Sequence, residues 1–80
     1  MTDNTMKTSE QDLIELAKHY LKAVYDEDTV SMTVEENGVK NGNGVLAVEC
    51  TVLIAGEESD WFKQFTFKNG RVLKMTWQMK

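Results

Sequence analysis

The sequence contains a single histidine, His19, and its position predicts a solvated surface side chain with no catalytic role. General acid–base catalysis requires a partner that holds the imidazole within a cleft. On a helical wheel His19 lies on the polar side, one turn after Glu15 and near Lys22 and Asp26. A spacing of four residues suits a weak surface pair and does not assemble a metal cage.

The other reactive side chains also lack the spacing that catalysis or metal binding requires. Adjacent carboxylates such as Glu35 and Glu36 point to opposite faces of a strand and do not converge. Cys50 is the only cysteine, which excludes an intramolecular disulfide and a cysteine metal cage, and it falls on the apolar face of a strand. The glycine-rich segment 37–44 precedes a strand and no helix, so it does not form a phosphate-binding loop. We predict no enzyme activity, no metal and no cofactor.

Lys63 is the side chain that breaks the structural pattern, because it falls on an apolar strand face between Trp61 and Phe65. An isolated buried ammonium group is costly. The interpretation we favour is that Lys63 extends its ammonium to solvent at the margin of the sheet. The alternatives are that it pairs with a carboxylate, stacks on an aromatic ring, or lines a wet cavity.

One amphipathic helix is predicted near the start of the chain. Ser9 with Asp12, or Thr8 with Gln11, can form a capping arrangement, and the helix should extend over about residues 9–25. Apolar residues recur at steps of three and four along it, forming one stripe: Leu13, Leu16, Ala17, Tyr20, Leu21 and Val24. Three successive carboxylates at 26–28 are poorly placed at the negative end of a helix dipole and predict its end.

After the helix, the apolar period changes from 3.6 to 2, which predicts four strands. Their inward sets are Val30, Met32 and Val34; Leu46, Val48, Cys50, Val52 and Ile54; Trp61, Phe65 and Phe67; and Leu73, Met75, Trp77 and Met79. The predicted fold class is α+β, with one N-terminal helix packed on a four-stranded antiparallel meander, in the order α-β-β-β-β. We expect a flexible tail over 1–7 and a single domain over 8–80.

The register of the last hairpin is ambiguous. Asn69-Gly70 is the usual signal of a two-residue turn closed by Lys68 and Arg71. That register would turn polar side chains of the last strand toward the core, because a shift of one residue exchanges the two faces. We therefore predict a three-residue loop over 68–70, with Gly70 at a bulge position of positive φ. The expected pairs are Phe65 with Leu73, Lys63 with Met75, and Trp61 with Trp77.

The hairpin over residues 60–77, in which an aromatic-rich strand, an Asn-Gly turn and an apolar strand follow one another, resembles the last hairpin of nuclear-transport-factor-like domains. Together with the leading helix, it is similar to the cystatin-like group of folds. The resemblance covers about residues 9–79 and implies a helix lying in a curved sheet. The extra N-terminal helices of nuclear-transport-factor-like domains have no counterpart here, and no catalytic residue of their enzymes carries over to this chain.

Composition narrows the classes of function. The 80-residue chain has a formal net charge of −4, which disfavours the phosphate-neutralising surface that nucleic-acid binding requires. No stretch approaches the about 20 apolar residues of a membrane span, and the polar start does not resemble a signal peptide. We expect a cytoplasmic protein that does not enter a membrane.

The apolar side chains of the predicted sheet exceed what one helix can cover, and such a surplus is typical of an interaction surface. We predict a small non-enzymatic interaction module that forms a homodimer, or binds a protein partner, through this surface. The alternatives are a small-molecule-binding protein with a pocket between helix and sheet, around Lys63, Trp61, Tyr20 and Trp77, and an acidic inhibitor of a basic partner. The candidate residues for interaction or pocket are Trp61, Phe62, Lys63, Met75, Trp77, Met79 and Tyr20.

Overall fold

A computed structural model describes residues 9–80. Helix α1 (Glu10–Tyr25) is followed by strands β1 (Asp28–Asn37), β2 (Gly44–Ile54), β3 (Glu57–Lys68) and β4 (Arg71–Met79). The strands form one antiparallel sheet in the order β1-β2-β3-β4, so β1 and β4 are its edges. The predicted α+β class and its α-β-β-β-β order are confirmed. The predicted tail over 1–7 lies outside the described residues.

Helix α1 begins at one of the two predicted capping pairs, Ser9 with Asp12. The Ser9 hydroxyl accepts a hydrogen bond from the Asp12 amide at 3.1 Å, and the Asp12 carboxylate accepts one from the Ser9 amide at 3.3 Å. This reciprocal arrangement satisfies amide groups that have no partner inside the helix. Leu13, Ala17 and Leu21 form the fully buried line of the helix.

The acidic segment after α1 is stabilised by its own contacts. Asp26 adopts a left-handed conformation (φ 58°), and its amide and that of Glu27 donate to carbonyl oxygens in the last turn of the helix. The Lys22 ammonium lies 3.0 Å from carboxylate oxygens of both Asp26 and Asp28. The cation therefore offsets two of the three carboxylates, and the third belongs to Glu27.

The core lies between the buried line of α1 and the inner face of the sheet. Its strand residues are Leu46, Val48, Cys50, Val52, Phe65, Phe67 and Met75. Five strand residues predicted to face inward are instead exposed, at the strand ends or at the edges: Val30, Ile54, Leu73, Trp77 and Met79. Two residues of the predicted helix stripe, Leu16 and Val24, are exposed as well. Val30 is exposed because β1 has a bulge between Thr29 and Ser31.

The predicted register of the last hairpin is wrong. Lys68 and Arg71 form a closing pair around a two-residue turn, in which Asn69 (φ 53°) and Gly70 (φ 78°) both have positive φ. Two-residue turns with this geometry match the right-handed twist of paired strands. The extra residue that returns the apolar side chains to the core is Leu73, which forms a bulge in β4 beyond the turn.

The bulge changes every predicted pair in this hairpin. The observed pairs are Phe67 with Val72, Phe65 with Met75, Lys63 with Trp77, and Trp61 with Met79. Val72, and not Leu73, packs against the core. The observed register differs from the predicted one by two residues. Met75, Trp77 and Met79 therefore still lie on the inner face of the sheet, and Lys63 lies opposite Trp77 instead of Met75.

The β1–β2 and β3–β4 turns pack together through glycine. The Gly70 amide donates to the Gly42 carbonyl at 3.0 Å, and a Cβ atom at Gly42 would lie 2.6 Å from the Gly70 nitrogen. Gly56 has a similar φ (83° against 81°), but nothing lies within 4 Å of a Cβ atom there. The two positions share the strain of positive φ and differ in the backbone contact.

We expect Gly42→Ala to lower the free energy of unfolding by about 1–3 kcal/mol more than Gly56→Ala, because only the first forces two backbone segments apart. Urea denaturation followed by circular dichroism measures both variants. Equal losses of unfolding free energy in the two variants would show that the β1–β2 and β3–β4 turns can move apart without an energetic cost.

Candidate functional site

Lys63 is buried in the interior, with 2% of its side chain exposed. The prediction that Lys63 extends its ammonium to solvent is therefore wrong. Its ammonium lies 3.2 Å from Oε1 of Glu27, whose side chain is 11% exposed, and 5.2 Å from the centre of the Trp61 ring. Pairing with a carboxylate and contact with an aromatic ring, two of the alternatives left open by the sequence, both occur.

The contact between Lys63 and Glu27 is an ion pair without an aligned hydrogen bond. Among the described residues, Glu27 Oε1 has no hydrogen-bond partner although it is buried. An ammonium group has three N–H donors. The pair therefore neutralises its charges but leaves hydrogen-bonding capacity on both partners.

Glu27 reaches Lys63 because of the way α1 ends. The left-handed residue Asp26 reverses the chain, and the Glu27 amide is anchored to the Leu21 carbonyl at 3.1 Å. β1 begins at the next residue. The carboxylate is thus held by a helix end on one side and a strand on the other, over the inner face of the sheet.

A chain of aromatic contacts runs from the core to the edge of the sheet. Tyr20 contacts Phe65 and Tyr25 edge to face, with ring centres 6.4 and 6.1 Å apart, and Tyr25 contacts Trp77 in the same way at 6.1 Å. Each such pair stabilises the fold by about 0.5–1.5 kcal/mol beyond the contribution of the apolar area that it buries. The Trp61 ring is held separately, by a 2.8 Å hydrogen bond from its Nε1 to the Ser59 hydroxyl.

These side chains surround a cavity of about 220 Å³ that is open to solvent on one side. We call it the aromatic cavity; its lining is Tyr25, Glu27, Trp61, Lys63, Met75 and Trp77. A dry apolar cavity of about 150 Å³ accommodates a benzene molecule. The aromatic cavity has room for one ring with a short substituent.

Four of the seven candidate residues line this cavity: Trp61, Lys63, Met75 and Trp77. The sequence interpretation missed Tyr25 and Glu27. Tyr25 is the last residue of the helix, where a periodic stripe no longer defines a face. Glu27 carried one available signal, since a buried lysine needs an opposite charge and the carboxylates nearest the sheet follow the helix.

The remaining three candidates lie elsewhere. Phe62 points to the outer face of the sheet, where it lies under the Lys80 ammonium at 5.6 Å. Met79 pairs with Trp61 but is 64% exposed at the end of β4. Tyr20 supports Tyr25 from behind and lines a different depression, beside His19 on the helix. Phe62 and Trp77 nevertheless line one shallow depression on the outer side of the sheet, so Trp77 borders both this depression and the aromatic cavity.

The site has no arrangement typical of acid–base or nucleophilic catalysis. Burial raises the pKa of the Cys50 thiol, which keeps it protonated and a poor nucleophile. Within residues 9–80, no three metal-ligating side chains come together, and no helix is long and apolar enough to cross a membrane. What the site presents is a set of aromatic side chains around one buried ion pair whose charges cancel.

Comparison of the chain with protein-family models, with curated proteins and with solved structures found no match. The resemblance to cystatin-like and nuclear-transport-factor-like domains stays a prediction.

Proposed function

We propose that the chain is a small non-enzymatic binding protein that takes a small aromatic molecule into the aromatic cavity. The observation that carries this proposal is the convergence of both tryptophans of the chain, Trp61 and Trp77, on the buried Lys63–Glu27 pair. This function was the alternative predicted from sequence, and the lining and volume of the aromatic cavity support it.

The energetics of the ion pair support the proposal. Taking two charges out of water costs several kcal/mol for each ion, and their attraction repays this only with good hydrogen-bond geometry. Lys63 and Glu27 lack that geometry. An apolar pair of similar volume would satisfy packing at least as well, so binding is the role that accounts for retaining the charges.

The exposed wall of the cavity also supports binding. Trp77 is 56% exposed although its neighbour Met75 is buried. An exposed indole ring beside a cavity offers a flat face for a ligand ring. Contact between the two rings would remove apolar area from water, which favours binding.

We expect aromatic fragments such as benzamide to shift the indole Nε1–H signals of Trp61 and Trp77 in proton–nitrogen NMR spectra, because both rings line the cavity. Trp77→Ala should weaken binding by about 5- to 150-fold, since one ring face is worth roughly 1–3 kcal/mol. Phe62→Ala, which removes an aromatic ring from the outer face, is the matched control and should leave the affinity unchanged. Equal losses in the two variants would contradict a binding site in the aromatic cavity.

Self-association is the second candidate, favoured by the exposed edge of β4. Leu73 (60% exposed), Trp77 and Met79 are all on this strand. Edge strand β1 is interrupted by two bulges, which discourage pairing, whereas β4 is regular from Lys74 to Met79. A two-fold pairing of β4 strands would continue the sheet, and a stable dimer should bury about 800 Å² per partner.

If β4 forms a dimer, Leu73→Lys together with Met79→Lys should convert it to a monomer, because like charges would face each other across the two-fold axis. Sedimentation velocity at high micromolar concentration measures the state. His19→Ala, on an exposed part of α1, is the control. A monomeric unmodified chain would remove this candidate and leave the cavity open for ligand.

We also propose a cytoplasmic location, supported by the lone buried thiol of Cys50 in a chain that uses no disulfide. The net charge of −4 supports a ligand or partner other than nucleic acid. It is also compatible with inhibition of a basic partner, the third interpretation from sequence.

A further inference from the structure

The aromatic cavity has features that restrict the chemistry of its ligand, and this inference rests on the proposed binding function. Among residues 9–80, its charged lining residues are Lys63 and Glu27 alone, and their charges cancel. A bound carboxylate would gain Lys63 but would lie against the Glu27 carboxylate, 3.2 Å from the same ammonium. A bound amine would meet the reverse conflict. Like charges placed side by side are strongly unfavourable, so the cavity selects a neutral ligand.

The hydrogen-bonding capacity of the pair specifies a polar group. Lys63 offers N–H donors, and the Glu27 carboxylate, whose side chain is 11% exposed and whose Oε1 has no hydrogen-bond partner among residues 9–80, offers an acceptor. A ligand that satisfies both must present an acceptor and a donor side by side. A carboxamide does so, with its carbonyl oxygen toward Lys63 and its N–H toward Glu27.

The walls of the cavity specify the rest of the ligand. Trp61, Trp77 and Tyr25 contribute ring faces or edges, and Met75 contributes a thioether that packs well against aromatic rings. The volume of about 220 Å³ accepts one ring with a short polar substituent. The Nε1–H of Trp61 is already bonded to Ser59, so this indole contributes packing and not a donor.

We propose that the aromatic cavity binds a neutral aromatic carboxamide, with the amide group on the Lys63–Glu27 pair and the ring between the indoles. The amide completes the two hydrogen bonds that the ion pair leaves unmade, and the ring fills the apolar part of the cavity.

Three probes with the same ring test this proposal: benzamide, benzoate and benzylamine. They differ in whether the polar group is neutral, anionic or cationic. Titration of the unmodified protein, followed at the two indole Nε1–H signals, should give an affinity for benzamide about tenfold above that for either charged probe, the equivalent of two net hydrogen bonds.

The double variant Lys63→Met with Glu27→Leu is the second arm. It removes both charges and leaves an apolar cavity, so it should retain affinity for the ring while the preference for benzamide falls to less than about twofold. Preservation of the fold is checked from the backbone NMR spectrum of the variant. The comparison among probes in the unmodified protein stands whether or not the variant folds.

The outcomes separate the two levels of the proposal. If benzoate or benzylamine binds as tightly as benzamide, the carboxamide assignment is overturned while binding in the aromatic cavity stands. If the double variant keeps the preference for benzamide, the ion pair does not bind the amide group and the carboxamide assignment fails. If none of the three probes shifts either indole signal, the binding function of the cavity fails as well.

Discussion

Replacement of Lys63 by methionine should lower the free energy of unfolding by about 3–5 kcal/mol, because it leaves the Glu27 carboxylate buried without a counter-charge. Methionine is one heavy atom shorter than lysine and keeps most of its apolar stem. The loss therefore measures the unpaired charge and not a void. Urea denaturation at neutral pH, with circular dichroism as the signal, gives the value.

The double variant Lys63→Met with Glu27→Leu should recover most of that loss, to within about 1 kcal/mol of the unmodified protein, since a buried ion pair and an apolar pair of similar volume are close in stability. Lys22→Met is the matched control. It removes the same charge from the exposed pairs with Asp26 and Asp28 and should cost far less than Lys63→Met. A double variant as unstable as Lys63→Met alone would contradict our description of the pair.

The outcome for stability and the outcome for binding are expected to diverge in this double variant. A protein that keeps its stability but loses its preference for a neutral amide would show that Lys63 and Glu27 serve recognition. Sites that bind ligands often retain polar groups at the expense of stability. The Lys63–Glu27 pair would then contribute to ligand binding in the aromatic cavity and not to the stability of the fold.

Much of the fold could be predicted because its signals are local and repeated. The capping pair of Ser9 and Asp12 marks where α1 begins, and the 3.6-residue stripe through Leu13, Ala17 and Leu21 marks its buried face. The alternation from Leu46 to Val52 fits a strand with one buried face. In each case, neighbouring residues in the sequence carry the information.

The hairpin register could not be predicted with the same certainty, because two different devices return side chains to the correct face. An odd-length loop and a two-residue turn followed by a bulge both keep Met75 inward, and the choice depends on twist and on packing between distant turns. The contact of Gly70 with Gly42, 28 positions away in the chain, is one such contact. Alternation alone does not contain it.

The candidate site was predicted in part for a related reason. Lys63 stood out because it violates the alternation of its own strand, and Trp61, Met75 and Trp77 are its neighbours in the sheet. Glu27 belongs to the connection between helix and strand, where no periodicity applies. Its partnership with Lys63 depends on how Asp26 turns the chain, which is a property of the folded structure.

Replacement of Leu46 by aspartate should abolish folding or come close to it. Leu46 is fully buried and pairs with Phe65 in the centre of the core. The substitution removes a large apolar side chain and places an unpaired charge among apolar groups, at a cost of at least about 4–5 kcal/mol. Domains typically have about 0.05–0.15 kcal/mol of stability per residue, so this is a large fraction of what 80 residues provide.

The matched control for this prediction is Val45→Asp, one position earlier in β2 and on the outer face, where the side chain is exposed. It introduces the same charge into the same strand, so the effects of the two variants differ only through burial. Leu46 is a better test than Val48, because Val48 lies opposite Lys63 in the sheet and an aspartate there could pair with its ammonium. We expect Val45→Asp to lower the melting temperature by a few degrees and Leu46→Asp to show no cooperative thermal transition. Similar melting curves for both variants would show that the inner and outer faces of β2 are assigned incorrectly, and with them the face on which the aromatic cavity lies.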